Sequence, residues 1–223
     1  MNSTYTINKE RSEAGFTIVE LMIALSILSV ILLVSTIVMT QIGKLYTKGV
    51  MQANLQNTTR NVMQDITSAI EFSGAPIYKA PSNSSYPAVR ALCIGTTRYT
   101  YVIGKELGVD YDGTSTSNVL WRDSITDPTT CTVSYNIVNS TPTSGYEMMP
   151  EHTRLTNLGV DNSGNNVYKF YISAAYGDSD LMNVGPANST DPSQSFLPTC
   201  KGGVGSQFCA SSTLNTTVAR RVN

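Results

Sequence analysis

Glu20 is the only charged residue between Phe16 and Met39, in a run that is otherwise apolar apart from a few hydroxyls. Wound as a helix at about 1.5 Å per residue, such a run reaches about 36 Å, enough to cross a hydrocarbon core about 30 Å thick. A carboxylate inside it costs of order 2.5–3.5 kcal/mol on insertion scales, so it needs a counter-charge. The residues just ahead offer one. Cutting the chain after Gly15 would place a free α-amino group on Phe16, four residues before Glu20, and an amine is the natural partner of a carboxylate in low dielectric. The chemistry written here is therefore peptide-bond processing at Gly15–Phe16, followed by ion pairing at Glu20.

Gly15-Phe16-Thr17-Ile18-Val19-Glu20-Leu21, followed by the apolar run, resembles the class III signal of type IV pilins and type II secretion pseudopilins. The resemblance covers about 25 residues. It implies that a prepilin peptidase cuts after Gly15 and methylates the new N-terminus at Phe16. It also implies that Glu20 sets the register of subunits in a helical filament. A secretory signal peptide is a poorer description, because its apolar stretch spans about 7–15 residues and precedes a small-residue cleavage site. A plain membrane anchor accounts for the length but for neither Glu20 nor the Gly-Phe junction. The leader departs from the family in one respect, since Lys9 and Arg11 are balanced by Glu10 and Glu13. The positive-inside rule counts Lys and Arg alone, so a cytoplasmic N-terminus and an exported C-terminal bulk are still expected.

Other residues offer less chemistry. Cys93, Cys131, Cys200 and Cys209 form no C-x-x-C pair, which removes the zinc-ribbon and thioredoxin spacings. In an exported domain two disulfides are expected. Four cysteines allow three pairings, and the one expected is Cys93–Cys131 with Cys200–Cys209. The second bridge would close the glycine-rich loop from Lys201 to Phe208. His152, the one histidine, sits in Pro150-Glu151-His152-Thr153 without a second histidine for a zinc motif, and is expected on a surface loop. Asp178 and Asp180 could give oxygens to Ca²⁺. Two acids fall short of the usual six to eight ligands, so a simple turn is the expectation and no metal or cofactor is assigned. Gly202-Gly203-Val204-Gly205 follows no strand and is expected to be a flexible loop rather than an anion cradle.

No nucleophile elbow, Ser-x-x-Lys or phosphate-binding loop occurs, so an enzyme is not expected. Net charge is −1, and the basic residues Arg90, Lys105, Arg122, Arg154, Lys169, Lys201, Arg220 and Arg221 are dispersed, so nucleic-acid binding is not supported.

The elements that must position these residues follow from periodicity. Met51, Leu55, Val62, Met63, Ile66, Ala69 and Ile70 recur at helical spacing opposite a polar face, which predicts an amphipathic helix ended by Gly74 and Pro76. Joined to the apolar run it gives one helix from Phe16 to Phe72, with Gly43 and Gly49 as weak points. A Pro/Ser/Asn connector is expected from Ala75 to Tyr86. Strands are expected at Val89–Ile94, Thr97–Ile103, Asn118–Arg122, Thr132–Val138, Arg154–Val160 and Val167–Ala175. Turns fall at Asp112-Gly113 and at Asp161-Asn162-Ser163-Gly164, the latter a hairpin. From Gly177 onward the chain is expected to be loop-rich and stapled by the last two cysteines.

The fold class expected is α+β, a long N-terminal helix with a transmembrane half and an amphipathic half, packed on an antiparallel sheet. Its divisions are a leader over 1–15, a membrane segment over 16–39, an amphipathic helix over 40–74 and an extracytoplasmic β-rich domain over 75–223. Ala174-Ala175-Tyr176-Gly177-Asp178-Ser179-Asp180-Leu181, then Phe208-Cys209-Ala210 and Arg220-Arg221, is similar to PilW/PulJ-like minor pilins.

Together these resemblances imply a minor pilin or pseudopilin whose partners are prepilin peptidase, the inner membrane before assembly, and other subunits through the N-terminal helix. Its place would be the cytoplasmic membrane, C-terminus outside, and then an extracellular or periplasmic filament. The alternative is an adhesin or DNA-uptake subunit whose C-terminal domain binds a surface or nucleic acid.

Overall fold

The computed structural model describes residues 15–81, 89–106, 110–111, 115–116, 118–138, 144–183, 199–203 and 205–221. The expected leader before Gly15, the Asp112-Gly113 turn and Val204 lie outside them. Contacts divide the chain into two units, Met1–Lys44 and Leu45–Asn223. One helix, α1 (Ile18–Phe72), begins in the first and ends in the second, and neither Gly43 nor Gly49 interrupts it.

In the first unit α1 carries Leu, Ile, Val and Met on every side, all exposed. Its hydroxyls turn back on the helix. Ser26 Oγ donates to the Ile23 carbonyl at 2.8 Å, Ser35 Oγ to Ile31 at 2.8 Å and Thr36 Oγ1 to Leu32 at 3.0 Å. Such back-bonding satisfies the side-chain donors without any external partner.

In the second unit the helix becomes one-sided. Leu55, Thr59, Val62, Ile66 and Ile70 are buried, while Met51, Met63 and Ala69 pack half-buried beside them. Thr59 was not part of the expected stripe. It can be buried because its hydroxyl donates to the Leu55 carbonyl at 2.6 Å. Gly74, at φ 63°, leaves the helix in the left-handed conformation that glycine adopts at least cost.

Among the described residues twelve strands follow: β1 (Ile77–Lys79), β2 (Val89–Ile94), β3 (Thr97–Val102), β4 (Asp110–Tyr111), β5 (Ser115–Thr116), β6 (Leu120–Ser124), β7 (Tyr146–Glu147), β8 (Thr153–Asn162), β9 (Val167–Tyr176), β10 (Met182–Asn183), β11 (Thr199–Cys200) and β12 (Ala210–Ala219). They form a five-stranded sheet in the order β1-β2-β3-β6-β7, a three-stranded sheet in the order β12-β9-β8, and the small pairs β4-β5 and β10-β11. Every pairing is antiparallel. The α+β class therefore holds, with the strands shared between separate sheets.

One core joins the helix residues Leu55, Ile66 and Ile70 to Leu92, Tyr99 and Leu120 of the first sheet and to Leu155, Phe170 and Ile172 of the second. Val89, Ala91, Val102, Trp121, Val133 and Ile137 make a smaller cluster. Because neighbours along β2, β3 and β6 enter different clusters, such as Ala91 and Leu92, Tyr101 and Val102, and Leu120 and Trp121, these strands are covered on both faces there.

Three expectations are corrected. Thr132–Val138 is not a strand. Its backbone is engaged by side chains, with Arg98 Nη1 donating to the Thr132 carbonyl at 3.2 Å and Ser134 N–H donating to Thr100 Oγ1 at 3.1 Å, and a 3-10 turn follows at Tyr135–Val138. The connector after Ala75 contains β1, paired with β2 from Ile77↔Ile94 to Lys79↔Leu92. The region after Gly177 is not all loop, since β12 pairs with β9 along its whole length, from Ala210↔Tyr176 to Ala219↔Val167. Its residues are mostly Ser, Thr and Asn, with Ser212 buried and Ser211, Thr213, Asn215 and Thr217 exposed, which leaves few apolar side chains to mark it. The Asp161–Gly164 hairpin joins β8 and β9, with Gly164 N–H donating to Asn162 Oδ1 at 2.8 Å and Gly164 at φ 89°.

Candidate processing and assembly site

Gly15, Phe16 and Thr17 precede the helix in a non-helical conformation, and Phe16 is 86% exposed. The bond between Gly15 and Phe16 thus lies outside regular structure. Thr17 caps the helix that follows. Its hydroxyl accepts the Glu20 N–H at 3.2 Å, while the Glu20 carboxylate accepts the Thr17 N–H at 2.9 Å and the Thr17 hydroxyl at 2.9 Å. This is a reciprocal capping box, which satisfies two of the amides that a helix start leaves unpaired.

Glu20 therefore has a structural task as well as its expected pairing task. Glutamine would fill the cap equally well, because the box needs an acceptor oxygen and not a charge. The negative charge is what capping leaves unexplained.

The cysteines lie far along the chain from this segment. Cys93, fully buried on β2, is bonded to Cys131, with 5.8 Å between Cα atoms. Cys200 on β11 is bonded to Cys209, which precedes β12, at 5.6 Å. Beside the first bridge, Arg98 holds Asp123 through two bonds, Nε to Oδ1 at 2.8 Å and Nη2 to Oδ2 at 2.6 Å, and Ser134 Oγ adds a third to Oδ2 at 2.8 Å. Helix and first sheet are joined by Asp65, whose Oδ2 accepts the Tyr99 hydroxyl at 2.7 Å and lies 3.1 Å from Arg122 Nε. Burial, with Asp65 beside it, pushes the Tyr99 hydroxyl far above the usual phenol range.

Among the described residues, Glu147 is the carboxylate most changed by its surroundings. Its oxygens accept the N–H groups of Val119 at 2.7 Å, Leu120 at 3.0 Å and Met149 at 2.8 Å. Those bonds favour the ionised form, yet burial outweighs them and pushes the carboxyl up to about 7.

Asp178 groups with Glu106 and His152, and Asp180 is not part of that group. Lys201 Nζ donates to the Asp180 carbonyl at 2.8 Å. Asp178 instead faces His152, Oδ1 to Nδ1 at 3.1 Å, and Glu106 Oε1 approaches the same nitrogen at 3.1 Å. The expectation that His152 stands on a surface loop holds for its exposure, but it missed these neighbours. The hairpin gives part of the signal, since pairing β8 with β9 brings the residues beyond their open ends together, and a one-residue register shift between Leu155 and Asn157 sets His152 opposite Gly177.

Residues 11–36 match a family model described as the prokaryotic N-terminal methylation motif. That match supports a type IV pilin-like precursor and covers the segment that holds Gly15, Phe16 and Glu20. No curated protein and no solved structure matches the chain.

Proposed function

We propose that this chain is the precursor of a minor subunit of a type IV pilus or of a secretion pseudopilus, built into a helical filament through its N-terminal helix. The observation that carries the reading is one acid in the first turn of a helix whose other side chains over 18–39 are exposed and, a few hydroxyls apart, apolar, directly after a non-helical Gly15–Phe16 junction. So large an apolar surface is not left to water; lipid covers it first, and neighbouring helices replace lipid on assembly. Prepilin peptidase removes the leader and methylates Phe16. Glu20 then pairs with the Phe16 amine of an adjacent subunit and disfavours offsets that leave the charge alone.

The β-rich part, stapled by two disulfides, faces outside the cytoplasm, where thiols oxidise. Its C-terminal region carries the resemblance to PilW/PulJ-like subunits, which suits a low-copy position. The test is Gly15→Asp expressed with the cognate peptidase. The variant is expected to stay at precursor size, and a mature-sized band from it would refute the assignment of the cleavage site.

A further inference from the structure

At the open end of the β8–β9 hairpin three side chains from distant parts of the chain meet. His152 immediately precedes β8, Asp178 follows β9 by two residues, and Glu106 lies after β3, in an isolated bridge with Arg154 of β8. His152 Nδ1 is 3.1 Å from Glu106 Oε1 and 3.1 Å from Asp178 Oδ1, and the three atoms all lie within 4.8 Å of one another. Glu106 and His152 are held from behind. Arg154, itself buried, bonds the other oxygen of Glu106. Gly177 N–H donates to the His152 carbonyl at 3.0 Å, and the Tyr176 ring stands edge-on to the imidazole at 6.4 Å. His152 itself is fixed at φ 57°. The exposed side of the imidazole gives onto a cleft lined by Met51, Tyr176, Gly177 and Phe208.

We infer that Glu106, His152 and Asp178 form a binding site for one divalent transition-metal cation of the Zn²⁺ kind. Donors bound at about 2.0–2.2 Å stand roughly 3.0–3.4 Å apart in adjacent coordination positions, which is the spacing that His152 keeps from each acid. A proton on Nδ1 points well at one of two carboxylates, whereas a cation at the common centre serves both. Charge agrees, since two carboxylates against one guanidinium leave a negative charge to be met. The imidazole nitrogen selects a transition cation over Ca²⁺, which prefers six to eight oxygens. Arg154 acts as an outer support, fixing which Glu106 oxygen faces the cation. Water completes the coordination from the cleft. All four cysteines are placed in disulfides, so no thiolate competes.

The experiment uses the full chain, without an affinity tag, stripped of metal in detergent micelles and titrated with ZnCl₂ by calorimetry. One equivalent per chain is expected to bind saturably. Asp178→Asn and His152→Asn should each weaken binding at least about tenfold, asparagine being chosen at position 152 because it tolerates positive φ. Because His152 is the sole histidine, the ¹⁵N resonances of its ring provide a second readout that needs no variant, and stoichiometric Zn²⁺ should shift Nδ1. Absence of saturable uptake, undiminished uptake by folded variants, or an unmoved Nδ1 resonance would each overturn the site.

Discussion

The Glu20 carboxylate accepts the backbone N–H of Thr17 at 2.9 Å, and the Thr17 hydroxyl accepts the Glu20 N–H at 3.2 Å. The pair fixes where the helix starts and leaves the Gly15–Phe16 bond just outside it. It also holds the acid at the helix start, where the N-terminal end of the macrodipole favours a negative charge.

Capping and charge can be separated at this position. Glu20→Gln keeps the cap and loses the charge, whereas Glu20→Ala loses both. Both variants should insert and be processed. If the charge sets subunit register, both should lower filament yield by on the order of tenfold or more, as expected when a pairing of about 1.4 kcal/mol or more is lost. Normal yield from Glu20→Gln, measured by shearing and immunoblotting, would leave capping as the residue's whole task.

The two disulfides should differ in weight. Cys93–Cys131 closes a separation of 38 residues and Cys200–Cys209 one of 9. Chain-entropy models assign roughly 3–4 kcal/mol to the first and roughly 2–3 kcal/mol to the second. Replacing Cys93 and Cys131 by Ala should lower Tm by roughly 8–15 °C, and the other pair by less. Calorimetry of the paired variants would contradict this if the order were reversed.

Asp65 links helix to sheet through Tyr99 and Arg122. Tyr99→Phe removes one hydrogen bond and should cost about 0.5–1.5 kcal/mol, while Asp65→Ala leaves a buried hydroxyl and a cation without their partner and should cost about 1–3 kcal/mol. The two changes together should cost less than their sum by at least about 0.5 kcal/mol. Strict additivity in denaturant unfolding would show that they do not interact.

Glu147 gives a pH dependence of defined sign. Its folded-state carboxyl is raised from 4.5 to about 7. Between these values the unfolded chain has lost the proton and the folded chain keeps it, so this residue makes stability fall as pH rises from 4.5 to 7, by at most about 1.4 kcal/mol per pH unit. Glu147→Gln should flatten that part of the profile. A wild-type profile parallel to that of the variant across the window would refute the assignment.

Much of this was legible from residue pattern. The helix, its left-handed exit at Gly74 and the β8–β9 hairpin follow from 3.6- and 2-residue periods and from turn residues with a defined conformational role. What escaped was non-local. Thr132–Val138 has strand-like composition, yet Arg98 and Thr100 on β3 take its backbone groups, and nothing near 132 announces that. Strand β12 is Ser/Thr/Asn-rich; it pairs with β9 over ten residues and brings Ala210, Leu214 and Val218 to the core, too few and too widely spaced to mark a strand in the sequence. At the N-terminal site, Glu20 and the Gly15–Phe16 junction stood out because an acid is conspicuous among apolar residues. The cap needed Thr17 and Glu20 to be read as a pair three residues apart, and that spacing was available in the sequence. The meeting of Glu106, His152 and Asp178 depends on strand order and could be reached only in part, through the hairpin.

The central claim is that the functional chain begins at a newly made amino end four residues before a lone acid. Mass spectrometry of the N-terminal peptide, from protein purified out of its native host in assembled form, tests this directly. The account predicts a peptide that starts at Phe16 and carries one N-methyl group. A peptide starting at Met1, from filaments of normal abundance, would contradict it.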